Sequence, residues 1–68
     1  MKTKFWTLFF DENGTNQAGS DWAIPIPYKE HYPHPKNAVG FLILPDYAFK
    51  TLSYEEIKDL YKHYGCKL

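Results

Sequence analysis

A single cysteine, Cys66, is the feature that most constrains what this chain of 68 residues can fold into. Chains this short bury too little surface for an ample core and often rely on disulfides or a metal. One cysteine cannot form an intramolecular disulfide. Stability must therefore come from packing, and five Phe, two Trp and six Tyr supply large rings for it. The length allows one domain, residues 1–68.

The charge balance bears on the partners to expect. Formal net charge is zero, and all eight basic residues are lysines. A neutral chain without arginine, the residue that best recognises phosphates and guanine, disfavours a nucleic-acid partner. No apolar run approaches the roughly 18 residues of a membrane span, so no membrane partner is expected. The lone cysteine and the absence of a signal-peptide cleavage site predict a cytoplasmic location.

Two segments have the composition of central β-strands, Lys4–Phe10 and Ala38–Leu44. Both are rich in residues that favour strands, and both are apolar on each of their two alternating faces. Gly40, inside the second of these segments, leaves a gap in which the ring of a neighbour could lie.

A third strand is predicted at 21–24. Asn13-Gly14 predicts a hairpin turn of type I′, after which pairing resumes in this strand. Pro25 and Pro27 cannot donate hydrogen bonds to a neighbouring strand, which predicts an edge position.

The C-terminal helix has the clearest signals. Ser53 and Glu56 fit a capping box, Leu52 and Ile57 fit a hydrophobic staple, and Gly65 stands where a helix commonly ends. An apolar stripe at helical spacing runs through Ile57, Leu60, Tyr61 and Tyr64. The predicted fold is α+β: a small three-stranded antiparallel sheet with one C-terminal helix packed on one face.

The predicted sheet has more apolar surface than one helix can cover. A helix about 10 Å across covers one face of a narrow sheet, not two. Exposed aromatic patches mark interaction sites, which favours a ring-lined binding surface. The opposite strand face, or loops that fold over and complete the core, stay open as alternatives. The binding residues predicted are Trp6, Leu8, Phe10, Trp22, Tyr28, Tyr32 and Leu42.

The proline-containing segment Tyr28–Pro35 has two interpretations. Its prolines reduce the entropy lost on docking, which suits a recognition loop. It could equally pack its own tyrosines on the sheet.

A metal site is the main alternative to a binding surface. His31 and His34 form one spaced pair, and His63 and Cys66 form another, which together match the ligands of tetrahedral zinc. Nothing in the sequence brings the two pairs together. This alternative is a zinc-stabilised small domain with possible nucleic-acid contact.

No constellation of residues predicts an enzyme or a cofactor. Cys66 follows the C-terminus of a helix, where the dipole disfavours a thiolate. Capping and lysine pairing account for the helical carboxylates, and the four glycines form no phosphate loop. The expected function is a small cytosolic protein-binding module. Its class includes bacteriophage and mobile-element inhibitors that block a host protein by occlusion, and a homodimer is also open.

Overall fold

The computed structural model describes residues 4–16, 22–31 and 33–68. These residues form a four-stranded antiparallel sheet of order β2-β1-β3-β4 with two helices. The α+β class is confirmed, whereas the predicted counts of three strands and one helix are wrong. In chain order the elements are β1 (Phe5–Phe10), β2 (Ala23–Ile24), β3 (Gly40–Pro45), α1 (Asp46–Thr51), α2 (Tyr54–Tyr64) and β4 (Cys66–Lys67).

The central pair of strands agrees with the prediction. β1 and β3 pair over six positions each, from Phe5 opposite Pro45 to Phe10 opposite Gly40. β2 pairs with β1 through two residues and lies at the edge of the sheet. Pro25 ends that strand because it lacks the N–H that a longer ladder would need.

The hairpin turn after β1 differs from the predicted type I′. Type I′ requires positive φ at both central residues, yet only Gly14 has one, at 73°. Asp11 builds the turn instead. Its carboxylate accepts hydrogen bonds from the backbone N–H groups of Asn13 (3.0 Å) and Thr15 (2.9 Å). Its carbonyl accepts one from the Gly14 N–H at 2.9 Å.

The unpredicted helix α1 begins where β3 ends, and tertiary contacts hold it. The Phe49 ring stacks on Trp6 with centroids 4.5 Å apart. The Trp6 indole N–H donates to the Asp46 carboxylate at 2.6 Å, and Lys50 pairs with the same carboxylate at 3.2 Å. Pro45 offers no side-chain cap. A six-residue helix with so weak a start has no local signal strong enough to predict.

The contacts of Asp46 predict a pH dependence of stability. The indole of Trp6, the ammonium of Lys50 beside it and the charge of Lys4 lower the pKa of Asp46. A carboxyl whose folded pKa is lowered stabilises the fold above its unfolded pKa, and this is lost as pH falls through the folded pKa. We expect the urea midpoint of the wild type to fall more on acidification than that of Asp46→Asn. Parallel pH profiles would contradict this.

Helix α2 begins with the predicted capping box. Ser53 Oγ accepts from the Glu56 N–H at 3.2 Å, and the Glu56 carboxylate accepts from the Ser53 N–H at 3.0 Å. The helix ends at Tyr64. Gly65 is its C-cap and has an extended backbone, with φ −67° and ψ 151°. Glycine is needed here for space: a Cβ would lie 2.3 Å from the Tyr61 ring.

The edge strand β4 follows directly from Gly65. Cys66 pairs with Phe41 and Lys67 with Gly40, while the Leu68 N–H donates to the Val39 carbonyl at 3.1 Å. Two residues are too short for the alternating pattern that identifies a strand from sequence.

The core lies between the sheet and the two helices. Its buried members are Leu8, Phe10, Leu42, Leu44 and Ile57. Tyr61 stacks on Phe10 with centroids 4.0 Å apart, and its ring occupies the space that Gly40 leaves, as predicted. Burial, with the charge of Asp11, raises the pKa of Tyr61.

Neither helix α1 nor α2, nor any other helix within the described residues, has the length and apolar character needed to cross a membrane.

Candidate protein-docking face

The sheet has one face covered by helices and one covered by a loop. Because side chains alternate along a strand, β1 and β3 each contribute to both faces. The helix-side face carries the core described above. The loop-side face carries Phe5, Thr7 and Phe9 from β1, and Phe41 and Ile43 from β3.

The helix-side face leaves little surface for a partner. Leu8 is 2% exposed, Phe10 0% and Leu42 6%. These three predicted binding residues lie in the core beneath α1 and α2, so they cannot line a surface in this fold. Their burial has a simple cause: helix α1 adds Phe49 and Ala48 to the cover that α2 provides.

The loop-side face is closed at its centre by loop residues from 25–31 and 33–35. Tyr28 stacks on Phe41 with centroids 4.1 Å apart and meets Phe9 edge-on at 6.3 Å. The His34 ring lies 6.1 Å from that of Phe9. The Thr7 hydroxyl donates to the Ile26 carbonyl, which fixes the loop to the middle of β1. Phe9 and Thr7 are consequently buried although no helix covers them.

Beyond this cover, the apolar side chains of Phe5, Ile26 and Ile43 are each more than a third exposed. They are 36%, 37% and 37% exposed, and we call them the docking patch. Thr7 lies next to all three positions. Ile43 is its cross-strand partner, Phe5 precedes it by two positions on the same face, and the main-chain carbonyl of Ile26 accepts its hydrogen bond.

The docking patch can bind apolar side chains but cannot perform acid–base chemistry. None of its three residues ionises. Three side chains also fall short of a standard interface, which buries about 800 Å² on each partner. They suit the central, water-excluding part of an interface, around which more polar residues form the rim.

The other predicted binding residues have separate places. Trp6 is half-buried against Phe49 in the helix layer. Trp22 is half-buried, and its carbonyl accepts from the Asn16 amide at 3.0 Å. Tyr28 is half-buried on the loop-side face, next to the docking patch. Tyr32 lies outside the described residues.

The four candidate zinc ligands do not meet. No three His, Cys, Asp or Glu side chains lie close enough to hold a metal ion anywhere in residues 4–16, 22–31 and 33–68. His31 and His34 belong to the loop over the sheet, with His34 beside Phe9. His63 lies at the end of α2 near Tyr64, and Cys66 is an exposed free thiol in β4. The predicted tetrahedral site is therefore absent from this arrangement.

The titratable groups with shifted pKa values are explained by the fold. The Ser53 N–H and hydroxyl lower the pKa of Glu56 through the capping box. The hydrogen bond from Trp6 that joins β1 to α1 lowers the pKa of Asp46. Burial is the chief cause of the raised pKa of Tyr61. Asp46 lies in α1, whereas Glu56 and Tyr61 lie in α2, and each shift follows from the packing and hydrogen bonds of the fold.

No protein-family model, curated protein or solved structure matches this chain. The function of this chain is therefore inferred from its geometry. Sequence reasoning missed Phe5, Ile26 and Ile43 as a set. Strand alternation does separate Phe5 and Ile43 from the core side chains, but it does not say which set the helices cover.

Proposed function

We propose that this protein is a protein-binding module that docks a partner protein on the loop-side face of its sheet. The observation that carries the proposal is the docking patch itself. Phe5, Ile26 and Ile43 remain more than a third exposed on a face whose centre is otherwise closed. Apolar surface left open beside a packed aromatic cluster favours an interaction site.

The loop beside the patch supports the proposal because its contacts hold it in place before a partner arrives. The Thr7 hydroxyl anchors Ile26, and Tyr28 lies flat on Phe41. Pro25 and Pro27 restrict the backbone on either side of Ile26. A surface ordered in advance loses less conformational entropy on binding.

The proposed partner is another protein, and the net charge of the chain bears on how it would be bound. We propose a host protein as the partner and occlusion as the mechanism, as in bacteriophage or mobile-element inhibitors acting in the cytoplasm. A chain with zero net charge has little long-range attraction to any partner. Its affinity should therefore depend weakly on salt, since burial of apolar side chains would supply most of it.

Site-directed photocrosslinking tests the proposal. Benzoylphenylalanine replaces Ile43 in one variant and the exposed Tyr64 in a control, and each is irradiated in lysate of the candidate host. We expect a discrete product from position 43 that excess wild type suppresses and excess Ile43→Lys does not. Equal products from both positions, or a product that Ile43→Lys also suppresses, would contradict docking on this face.

Light scattering over a concentration series identifies the partner class. A monomer at all concentrations, together with the competed crosslink, supports a different protein as partner. A concentration-dependent dimer that Ile43→Lys abolishes would assign the face to a second copy of this chain and overturn the host-protein proposal.

A further inference from the structure

Asn13 differs chemically from the other two asparagines of the chain, Asn16 and Asn37, because glycine follows it. Glycine has no Cβ to hinder its backbone nitrogen, so this nitrogen can reach the preceding side-chain amide. We propose that Asn13 is a spontaneous deamidation site, and that the turn around Asp11 sets the rate of the reaction. The consequence is a covalent modification that changes the charge of the protein without an enzyme.

The reaction needs water and no other reagent. The Gly14 backbone nitrogen attacks Cγ of Asn13, which forms the N–Cγ bond of a cyclic imide. The Cγ–Nδ2 bond breaks, and the amide nitrogen leaves as ammonia with the proton from the Gly14 nitrogen. Water then opens the imide at either carbonyl, giving aspartate or isoaspartate. The sum is the hydrolysis of an amide, with no oxidation or reduction.

The folded turn engages the attacking nitrogen in a hydrogen bond. The Gly14 N–H donates to the Asp11 carbonyl at 2.9 Å. The Asp11 carboxylate binds the N–H groups of Asn13 and Thr15, and its own N–H donates to the Thr15 carbonyl at 3.0 Å. Ring closure requires this turn to open. Loss of about one net hydrogen bond predicts a rate roughly fivefold lower in the folded than in the unfolded chain.

The other asparagines serve as internal controls. The Asn16 amide donates to the carbonyls of Phe9 at 2.7 Å and Trp22 at 3.0 Å, which restrains it. Asn37 is exposed like Asn13, but the Cβ of Ala38 hinders the attacking nitrogen.

The product would add a negative charge to a mixed-charge part of the surface. Asn13 lines two neighbouring cavities of about 530 and 510 Å³. Lys36 lines the first, and Lys62 and Lys67 line the second. The six residues of β1 separate this turn from Phe5 by about 20 Å. The modification therefore leaves the docking patch untouched, and the inference stands apart from the proposed function.

Peptide mapping by mass spectrometry tests the inference on the full-length protein, aged at neutral pH both folded and in urea. We expect modification of Asn13 to exceed that of Asn37 and Asn16 in the folded protein, and urea to accelerate it about fivefold. Asp11→Ala, checked for folding by circular dichroism, should bring the folded rate towards the urea rate. Asn13→Gln should show no modification at this position.

Two results would overturn the inference. Modification of Asn37 or Asn16 as fast as that of Asn13 would remove the special role of the site. Equal rates for Asn13 in folded and unfolded protein would show that the Asp11 turn does not control it.

Discussion

Replacement of Phe10 by alanine is expected to remove a large part of the stability of this domain. The Phe10 side chain is fully buried, and its ring stacks on Tyr61 with centroids 4.0 Å apart. Truncating a buried phenylalanine costs about 3–5 kcal/mol. A domain of 68 residues has a total unfolding free energy of only about 3–10 kcal/mol. The substitution therefore removes much or all of the stability.

Urea unfolding followed by circular dichroism measures this effect. Tyr64→Ala is the matched control, because Tyr64 is an aromatic residue of α2 that is 72% exposed. We expect the control to stay within about 0.5 kcal/mol of the wild type. A Phe10→Ala protein as stable as Tyr64→Ala would mean that the core lies elsewhere than between the sheet and α2.

Much of the fold is predictable because its signals are local. The capping box of Ser53 and Glu56 needs only a spacing of three residues. The apolar composition of β1 and β3 predicts two central strands, and the prolines after β2 predict an edge. Gly40 also predicts a gap for a ring, although not that the ring is that of Tyr61.

The elements that sequence reasoning missed depend on distant contacts. Helix α1 is held by Trp6, some forty positions earlier in the chain, and β4 exists because β3 offers a free edge. The prediction that Leu8, Phe10 and Leu42 lie on a binding surface is wrong for the same reason. Leu8 and Phe10 alternate with Thr7 and Phe9 along one strand, and only tertiary packing determines which set the helices cover.

Thr7 is a polar residue buried on the loop-side face of the sheet. Thr7 is 2% exposed, yet it is polar, and burying a hydroxyl is unfavourable unless it finds a hydrogen-bond partner. The Ile26 carbonyl supplies that partner. A polar residue within an otherwise apolar strand therefore specifies where the loop attaches.

The second large effect is expected from Gly40→Ala. A Cβ at this position would lie 2.1 Å from the Tyr61 hydroxyl oxygen, 2.8 Å from the Cys66 carbonyl oxygen and 3.0 Å from Tyr61 Cζ. The Tyr61 ring must shift on its stack against Phe10, and β4 must also move away from β3, because both contacts are shorter than 3.0 Å. Overpacking of this kind costs about 1–3 kcal/mol, a large share of the stability of so small a domain.

Tyr61→Phe tests whether the clash with Tyr61 causes this loss of stability, because it removes the Tyr61 hydroxyl oxygen, the atom nearest to the added Cβ. In a double-mutant cycle monitored by urea unfolding, we expect Gly40→Ala to cost less in the Tyr61→Phe background, with a coupling of about 0.5–3 kcal/mol. Rescue should be partial, because the Cys66 carbonyl remains close.

Gly14→Ala is the matched control for this cycle. A Cβ on Gly14 meets nothing within 4 Å, so its cost comes from the positive φ of 73° and is about 1–3 kcal/mol. Tyr61→Phe cannot relieve backbone strain, and the two substitutions should be additive. A similar rescue of both glycine variants, or of neither, would contradict the assignment of Gly40 as the space that lets Tyr61 join α2 to the sheet.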